Sequence, residues 1–270
     1  MVLDAAVLSK VGILWNRRRI LALLIGRDLK VKYAGSPLGY LWSVLEPLML
    51  AGVYWFIFTQ LIHRSLGEAP YIIFLLCGVL PWQFFNSSLR SSMRALTKDA
   101  KLVRSTNLPR EIWVVRAVGS NLAEFLFSLP VIAFFAILTG AHVTWYIVFF
   151  PLAVFIQVLL LTGFGLLLAP LSVLYSDVGR LLPTVLRLLF YVSPILYGVH
   201  DIRKRLPPAA VHILVLNPLA GILDLYRTAF FNDQWAGWTA VVIAAVWALA
   251  ILAVGIVVFP RLEGAVLKEI

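Results

Sequence analysis

Apolar residues in this chain run in long unbroken stretches rather than at the spacing of one buried face. Residues 71–89, 144–169 and 239–259 contain no charged side chain; 38–62 contains only Glu46, 113–138 only Arg116 and Glu124, and 182–199 only Arg187. A helix crossing roughly 30 Å of hydrocarbon needs about 20 mostly apolar residues, because lipid offers no partner for open backbone groups. Six membrane-spanning helices are therefore predicted. The fifth is the shortest and carries Pro183, Arg187 and Pro194, which implies a kink.

The polar stretches between these spans have characters of their own. Residues 1–35 are too charged to cross a membrane and too apolar for a free tail, so they read as a helix at the membrane interface, with Trp15 and Tyr33 as anchors. In residues 94–111, Leu96, Ala100 and Val103 share one helical face and Arg94, Lys98 and Lys101 another. Ser105 to Pro109 interrupts that helix; Pro109 is suited to start the next, with Glu111 in the first turn where the helix dipole favours an anion. Residues 200–238 are too long and apolar for a simple turn. Pro207-Pro208 and Asn217-Pro218 divide them, and 219–231 reads as a short helix with Asp224 and Arg227 placed for an i, i+3 pair. Apolar stretches of about 10–14 residues are more often re-entrant or interfacial than spanning.

Composition agrees with this pattern and adds an orientation. The 270 residues are 61% hydrophobic and 13% charged, against roughly a quarter charged in soluble domains, and the mean hydropathy is +0.93. A soluble globule is excluded. With 23 Lys+Arg against 13 Asp+Glu the net charge is +10; for a membrane chain the lipid surface, not nucleic acid, is the expected partner. The cations cluster in the N-terminal segment, after the second span, around the loop after the fourth and in the tail; only Arg64, Arg203, Lys204, Arg205 and Arg227 fall on the other side. Lys and Arg are enriched in loops kept in the cytoplasm, so both termini are predicted there. The apolar run 20–25 is shorter than a secretory core of roughly 7–15 residues, and no cleavable signal peptide is expected.

Catalytic chemistry is sparse. The sequence has no Walker A pattern, so ATP hydrolysis by this chain itself is not expected. His63, His142, His200 and His212 lack ligand spacing, the single Cys77 cannot form an intrachain disulfide, and no nucleophile elbow or paired-carboxylate motif marks a hydrolase. Intramembrane charge, costly and usually functional, is confined to Glu46 and Glu124 well inside spans; Glu46 precedes Pro47, which loosens the preceding turn. Such sparse charge disfavours an ion-coupled carrier. Aromatic residues are abundant instead. Tyr33, Tyr40, Trp42, Tyr54, Trp55, Trp82, Phe84, Phe85, Tyr191 and Tyr197 gather around the ends of spans one, two and five. They suit an interfacial belt, and equally a passage where rings stack on the apolar faces of sugars without fixing one register.

Several motifs in order carry a family resemblance. Arg27-Asp28-Leu29-Lys30-Val31-Lys32-Tyr33, Ser36-Pro37-Leu38-Gly39-Tyr40-Leu41-Trp42 and Glu46-Pro47-Leu48 resemble the opening of ABC-2 type permeases that export O-antigen, capsular and teichoic-acid polymers. Asn107-Leu108-Pro109-Arg110-Glu111, Tyr175-Ser176-Asp177-Val178, Ser193-Pro194-Ile195-Leu196-Tyr197 and Asn217-Pro218-Leu219 continue it across essentially the whole chain. The resemblance implies an all-α integral membrane protein forming one transmembrane domain over 1–270. It comprises six spans, an N-terminal interfacial helix, a coupling helix between spans two and three, and short re-entrant outer helices between spans five and six.

The same resemblance implies partners and roles. The permease would pair with a second copy of itself and two copies of a separate P-loop ATPase; this chain would bind no cofactor, and ATP and Mg²⁺ would sit on the partner. ATPase coupling would fall to Asp99, Lys101, Leu102, Arg104, Asn107, Leu108, Pro109, Arg110 and Glu111. The polymer path would be lined by Tyr40, Trp42, Glu46, Tyr54, Tyr191 and Tyr197. Arg27, Lys30 and Lys32 are candidates for the pyrophosphate of a lipid carrier. The expected function is export of a lipid-linked polysaccharide across a bacterial inner or plasma membrane, with a cell-wall glycan such as galactan preferred. The alternatives are an ABC-2 exporter of small lipophilic drugs, or an ATPase-independent carrier or enzyme.

Overall fold

The computed structural model describes residues 17–57, 71–198, 207, 211, 214–231 and 237–269. Among these residues the regular structure is entirely helical. In chain order the helices are α1 (Arg18–Tyr33), α2 (Trp42–Trp55), α3 (Tyr71–Met93), α4 (Ala100–Ser105), α5 (Glu111–Thr139), α6 (Phe150–Leu174), α7 (Ser176–Val192), α8 (Pro218–Thr228) and α9 (Trp238–Glu269). Short 3₁₀ turns at Gly39–Leu41 and Trp145–Phe149 lead into α2 and α6.

Among the described residues, four segments are long and apolar enough to cross a membrane: Tyr71–Met93, Glu111–Thr139, Trp145–Leu174 and Trp238–Glu269. They coincide with the predicted second, third, fourth and sixth spans. The first predicted span is represented by α2; residues 58–62 lie outside the described residues, as do 200–206, 208–210, 212–213 and 232–236 of the outer connection. The fifth is displaced. Instead of filling 182–199, α7 begins at Ser176 and ends at Val192, so its 17 residues reach about 25 Å. Its end has a local cause: Ser193 precedes Pro194, a position from which the helical region is disfavoured, and it is extended at φ −79°, ψ 147°.

The segment after α3 also differs from expectation. Residues 94–99 form turns, α4 is only six residues long, and α5 starts at Glu111, two residues after Pro109. The apolar face survives the interruption. Leu96 and Val103 are both buried in a cluster with Ile112, Trp113, Phe259 and Val266, so α4 is seated against the start of α5 and the end of α9.

Packing places α3 at the centre. It is buried along nearly its whole length, including Cys77, and is flanked by α2, α5, α6 and α8. A helix as apolar as its first three turns, Tyr71 to Trp82, belongs in such an interior position. The α6–α9 pair comes closest, because small residues meet there: a Cβ on Gly163 would lie 2.6 Å from the backbone nitrogen of Leu252, and one on Gly255 would lie 2.8 Å from the Gly163 carbonyl. At the other side, Gly35 (φ 78°) and Gly39 (φ 47°) turn the chain tightly between α1 and α2. That turn brings the end of α1 beside the start of α2.

Candidate functional site

A cavity of about 450 Å³ opens between the end of α1 and helices α2, α3, α5 and α7. Each long helix contributes one stripe at helical spacing. From α3 come Gln83, Asn86, Ser87 and Arg90, at i, i+3, i+4 and i+7; from α5 come Asn121, Glu124, Phe125 and Ser128 at the same spacing. From α2 come Trp42, Glu46, Pro47 and Leu50, and from α7 Pro183, Leu186, Arg187, Phe190 and Tyr191. The last turn of α1 adds Lys32 and Tyr33.

The lining therefore mixes amides, hydroxyls, both signs of charge and flat rings. Lys32 Nζ donates to Glu124 Oε2 at 2.7 Å, and Arg90 Nε donates to Asn86 Oδ1 at 2.7 Å. The rings brace one another: Trp82 meets Phe190 edge to face with centroids 5.5 Å apart, and Phe84 stacks on Phe125 at 5.2 Å. Such an enclosure can offer hydrogen bonds to hydroxyl groups and flat faces to C–H surfaces at once. Glu46 sits where Pro47 removes a helical donor, so carboxylate and loosened backbone occur together.

A second constellation lies where α1, α4 and α5 meet. Arg116 of α5 is 3% exposed and pairs with Asp28 at 2.8 Å and Asp99 at 2.7 Å. Asp99 also accepts from Arg27 at 2.8 Å, while Lys98 approaches Asp28 at 3.7 Å. Burial pushes the Asp99 carboxyl up, but the Arg116 hydrogen bond and the charges of Arg116 and Arg27 outweigh it and hold the group below the ordinary carboxylate value.

A third lies at the opposite end, around α8. Asn217 caps this helix by accepting from the Leu219 N–H at 3.0 Å, and Pro218 occupies its first turn. Every residue from Leu219 to Thr228 is buried. Arg227 donates to the carbonyls of Ile195 (2.7 Å) and Tyr197 (3.3 Å), stands 4.0 Å from Asp224, and lies 3.7 Å above the Phe74 ring. Beside it, Tyr226 donates to Gln157 at 2.9 Å, and Gln157 donates to the Pro81 carbonyl at 2.8 Å.

Of the residues expected on a path, Trp42, Glu46 and Tyr191 line the cavity. Tyr197 does not; its hydroxyl donates to the carbonyls of Tyr191 and Val192 and closes the end of α7. The side chains of Tyr40 and Tyr54 lie outside the described positions. The three basic candidates on α1 separate: Lys32 lines the cavity, Arg27 is turned to Asp99, and Lys30 is exposed without lining the cavity. Among the coupling candidates, Lys101, Leu102, Arg104 and Asn107 are exposed. Leu108, Pro109 and Glu111 are half-buried, Arg110 pairs with Glu263 at 3.4 Å, and Asp99 is held in the ionic cluster. Sequence reasoning did not single out Gln83, Asn86, Arg90 and Asn121, which line the cavity, and noted Arg187 only as a charge within the fifth span. The α3 stripe carried a usable signal, since its polar positions within an apolar run repeat with helical spacing.

Residues 20–231 match the family described as ABC-2 type transporter. The chain is 30% identical over 246 residues to the O-antigen export system permease protein RfbA of Klebsiella pneumoniae, covering 90% of this chain and 92% of that one. It is 29% identical over 221 residues to the RfbA protein of Myxococcus xanthus, covering 82% and 84%. The polysialic acid transport protein KpsM of Escherichia coli is 25% identical over 255 residues, covering 90% and 93%.

Proposed function

The chain belongs to the ABC-2 type transporter family, and from that premise we propose that it is the permease subunit of an ATP-driven exporter moving a lipid-linked polysaccharide out of the cytoplasmic leaflet. The observation that carries this reading is the cavity. A site for small lipophilic drugs is lined mainly by apolar groups with few polar ones. Here amides and hydroxyls alternate with Trp42, Trp82 and Tyr191, a lining suited to the hydroxyl edges and apolar faces of successive sugars. The export relatives named for O-antigen and polysialic acid support the same class of cargo.

In this reading the chain is a multi-pass protein of a bacterial inner or plasma membrane, with α2 and α7 completing six membrane helices and both termini in the cytoplasm. Helices α2 and α7 border the cavity. Exposed Met49, Leu50, Val53 and Phe56 on α2 and Leu181, Val185, Leu188 and Val192 on α7 flank it, and a second copy of the chain would cover them. The exposed Lys101, Leu102, Arg104 and Asn107 would seat one of two ATPase subunits, which would hold ATP and Mg²⁺. The chain itself is a transport subunit, not an enzyme.

The test is reconstitution of the chain with its ATPase in lipid nanodiscs. A lipid-linked glycan from the same envelope is expected to stimulate ATP hydrolysis, and Trp42→Ala with Tyr191→Ala to cut that stimulation without loss of assembly. Stimulation by lipophilic cations and none by the glycan would overturn the reading.

A further inference from the structure

The cavity and the exposed α4 segment lie in different parts of the chain, yet one element touches both. Asp28 and Lys32 stand at i and i+4 on one face of α1. Opposite them on α5 stand Arg116, Ser120 and Glu124, spaced by four and sharing a face. The two helices run in parallel and are joined rung by rung: Arg116 to Asp28 at 2.8 Å, Ser120 donating to Asp28 at 3.4 Å, and Lys32 to Glu124 at 2.7 Å. At the first rung α1 also reaches the α4 segment, through Arg27 and Asp99.

The two ends of this ladder differ in how firmly they hold. Arg116 is almost wholly buried and shared by two carboxylates, and breaking such a buried group from its partners is costly. Lys32 is 54% exposed and holds the partly buried Glu124, 17% exposed, by one contact, so the cation can leave into solvent at less cost than the buried Arg116 could. The first end is a pivot and the second is free to exchange.

The cavity supplies something to exchange with. Its charged lining groups are Lys32, Arg90 and Arg187 against Glu46 and Glu124, a cationic surplus, and among the described residues Arg90 is held by the neutral amide of Asn86. An anion carrying several strong acceptor oxygens would bind there by taking Lys32 from Glu124, with Arg90 as its second cation.

We propose that Lys32–Glu124 is a releasable latch at the edge of the cavity, opened by a phosphate-class head group, and that α1, pivoting on Arg116, reports its release to the α4 segment through Arg27 and Asp99. This rests on the export reading above, in which the cargo is attached to a lipid phosphate and α4 faces the ATPase. Lys32 and Glu124 act here as positioning residues. Sequence reading had marked Lys32 only as one of three basic candidates for the head group, and Glu124 only as an intramembrane charge.

The experiment uses the assembled permease–ATPase complex in nanodiscs, with a synthetic polyprenyl pyrophosphate as probe and inorganic pyrophosphate and the neutral polyprenol as parallel arms. Glu124→Gln opens the latch and keeps the cation. It is expected to raise ATP hydrolysis without probe by about fivefold, the lower end of ordinary allosteric coupling. Lys32→Gln is expected to raise basal hydrolysis similarly and to lose the response to the probe. Lys32→Arg should restore wild-type behaviour, and the reversed pair Lys32→Glu with Glu124→Lys should return basal hydrolysis to its low value. A response to inorganic pyrophosphate alone assigns the site to the free anion; a response only to the lipid form assigns it to the head group. Basal rates unchanged in both single variants, or a reversed pair no better than either, would overturn the latch. A wild-type complex that ignores the probe while responding to another cargo would instead count against the export reading. Because Lys32 is half exposed, its variants remain informative if Glu124→Gln fails to assemble.

Discussion

Two arginines sit inside the helical bundle, and they are neutralised in opposite ways. Arg227, at the α8 end, is surrounded by the carbonyls of Ile195 and Tyr197, the face of Phe74 and the neighbouring Asp224. Arg116, at the α4 end, is held by Asp28 and Asp99, carboxylates that also engage Lys98 and Arg27. Backbone carbonyls move only if the chain moves, so the first arrangement is a fixed joint. Side-chain carboxylates hold the second arrangement without fixing the backbone, so the helices can turn about it. The difference makes the end that carries α8 a joint fixed by backbone and the end that carries α4 a pivot held by side chains.

The sharpest way to break this comparison is to remove each arginine. Arg227→Leu would remove a fully buried cation from beside Asp224 and the donor from two carbonyls, a loss of roughly 3–5 kcal/mol that should abolish folded, monodisperse protein in detergent chromatography. Arg227→Lys should fall between, since an ammonium cannot reproduce the planar fork. Arg116→Ala should cost about 2–3 kcal/mol, read as a lowered Tm with assembly retained. An Arg116 variant less stable than the Arg227 variant would reverse the assignment.

Acid provides a finer discriminator. The Asp99 carboxyl titrates below the ordinary value of about 4, so its contribution to stability is fully present above that value and is lost as pH falls through the depressed one. The Tm difference between the native chain and Asp99→Asn should therefore be constant near neutrality and shrink below about pH 4. A difference that persisted in acid would show that the Asp99 contacts, not its charge, stabilise the segment.

Smaller effects sharpen the picture further. Tyr226→Phe removes one buried hydrogen bond and Gln157→Leu two, costing about 1 and about 2 kcal/mol, with clear coupling in a double-mutant cycle because they share one bond. Lys32→Gln should change Tm least, within about 0.5 kcal/mol, since its partner contact is half exposed. Its effect belongs to transport rather than to stability.

What could be read from the sequence followed one physical property. Uniform apolar runs revealed the segments now seen as α3, α5, α6 and α9, because membrane-length hydropathy is a local, additive signal. The same scan misjudged α7, whose opening turns carry Ser176, Asp177 and Arg180; an amphipathic helix looks half polar to an average over its length. The Asp224–Arg227 pair was legible because both partners stand on one helix. Asp99 stood only as a coupling candidate, because its partners, Arg27 and Arg116, come from distant positions.

Sequence by itself determined that this is a helical membrane protein, which stretches of four helices are long enough to cross, and, through ordered motifs, which transporter family it belongs to. Those properties depend on composition and short-range spacing. Tertiary structure alone decided that Glu46 and Glu124 line one cavity, that Lys32 closes on Glu124 while Arg27 turns to Asp99, and that Tyr197 secures a helix end. Each depends on how a helix is rotated about its axis, and rotation is set by packing across the bundle, as where Gly163 and Gly255 let α6 and α9 approach.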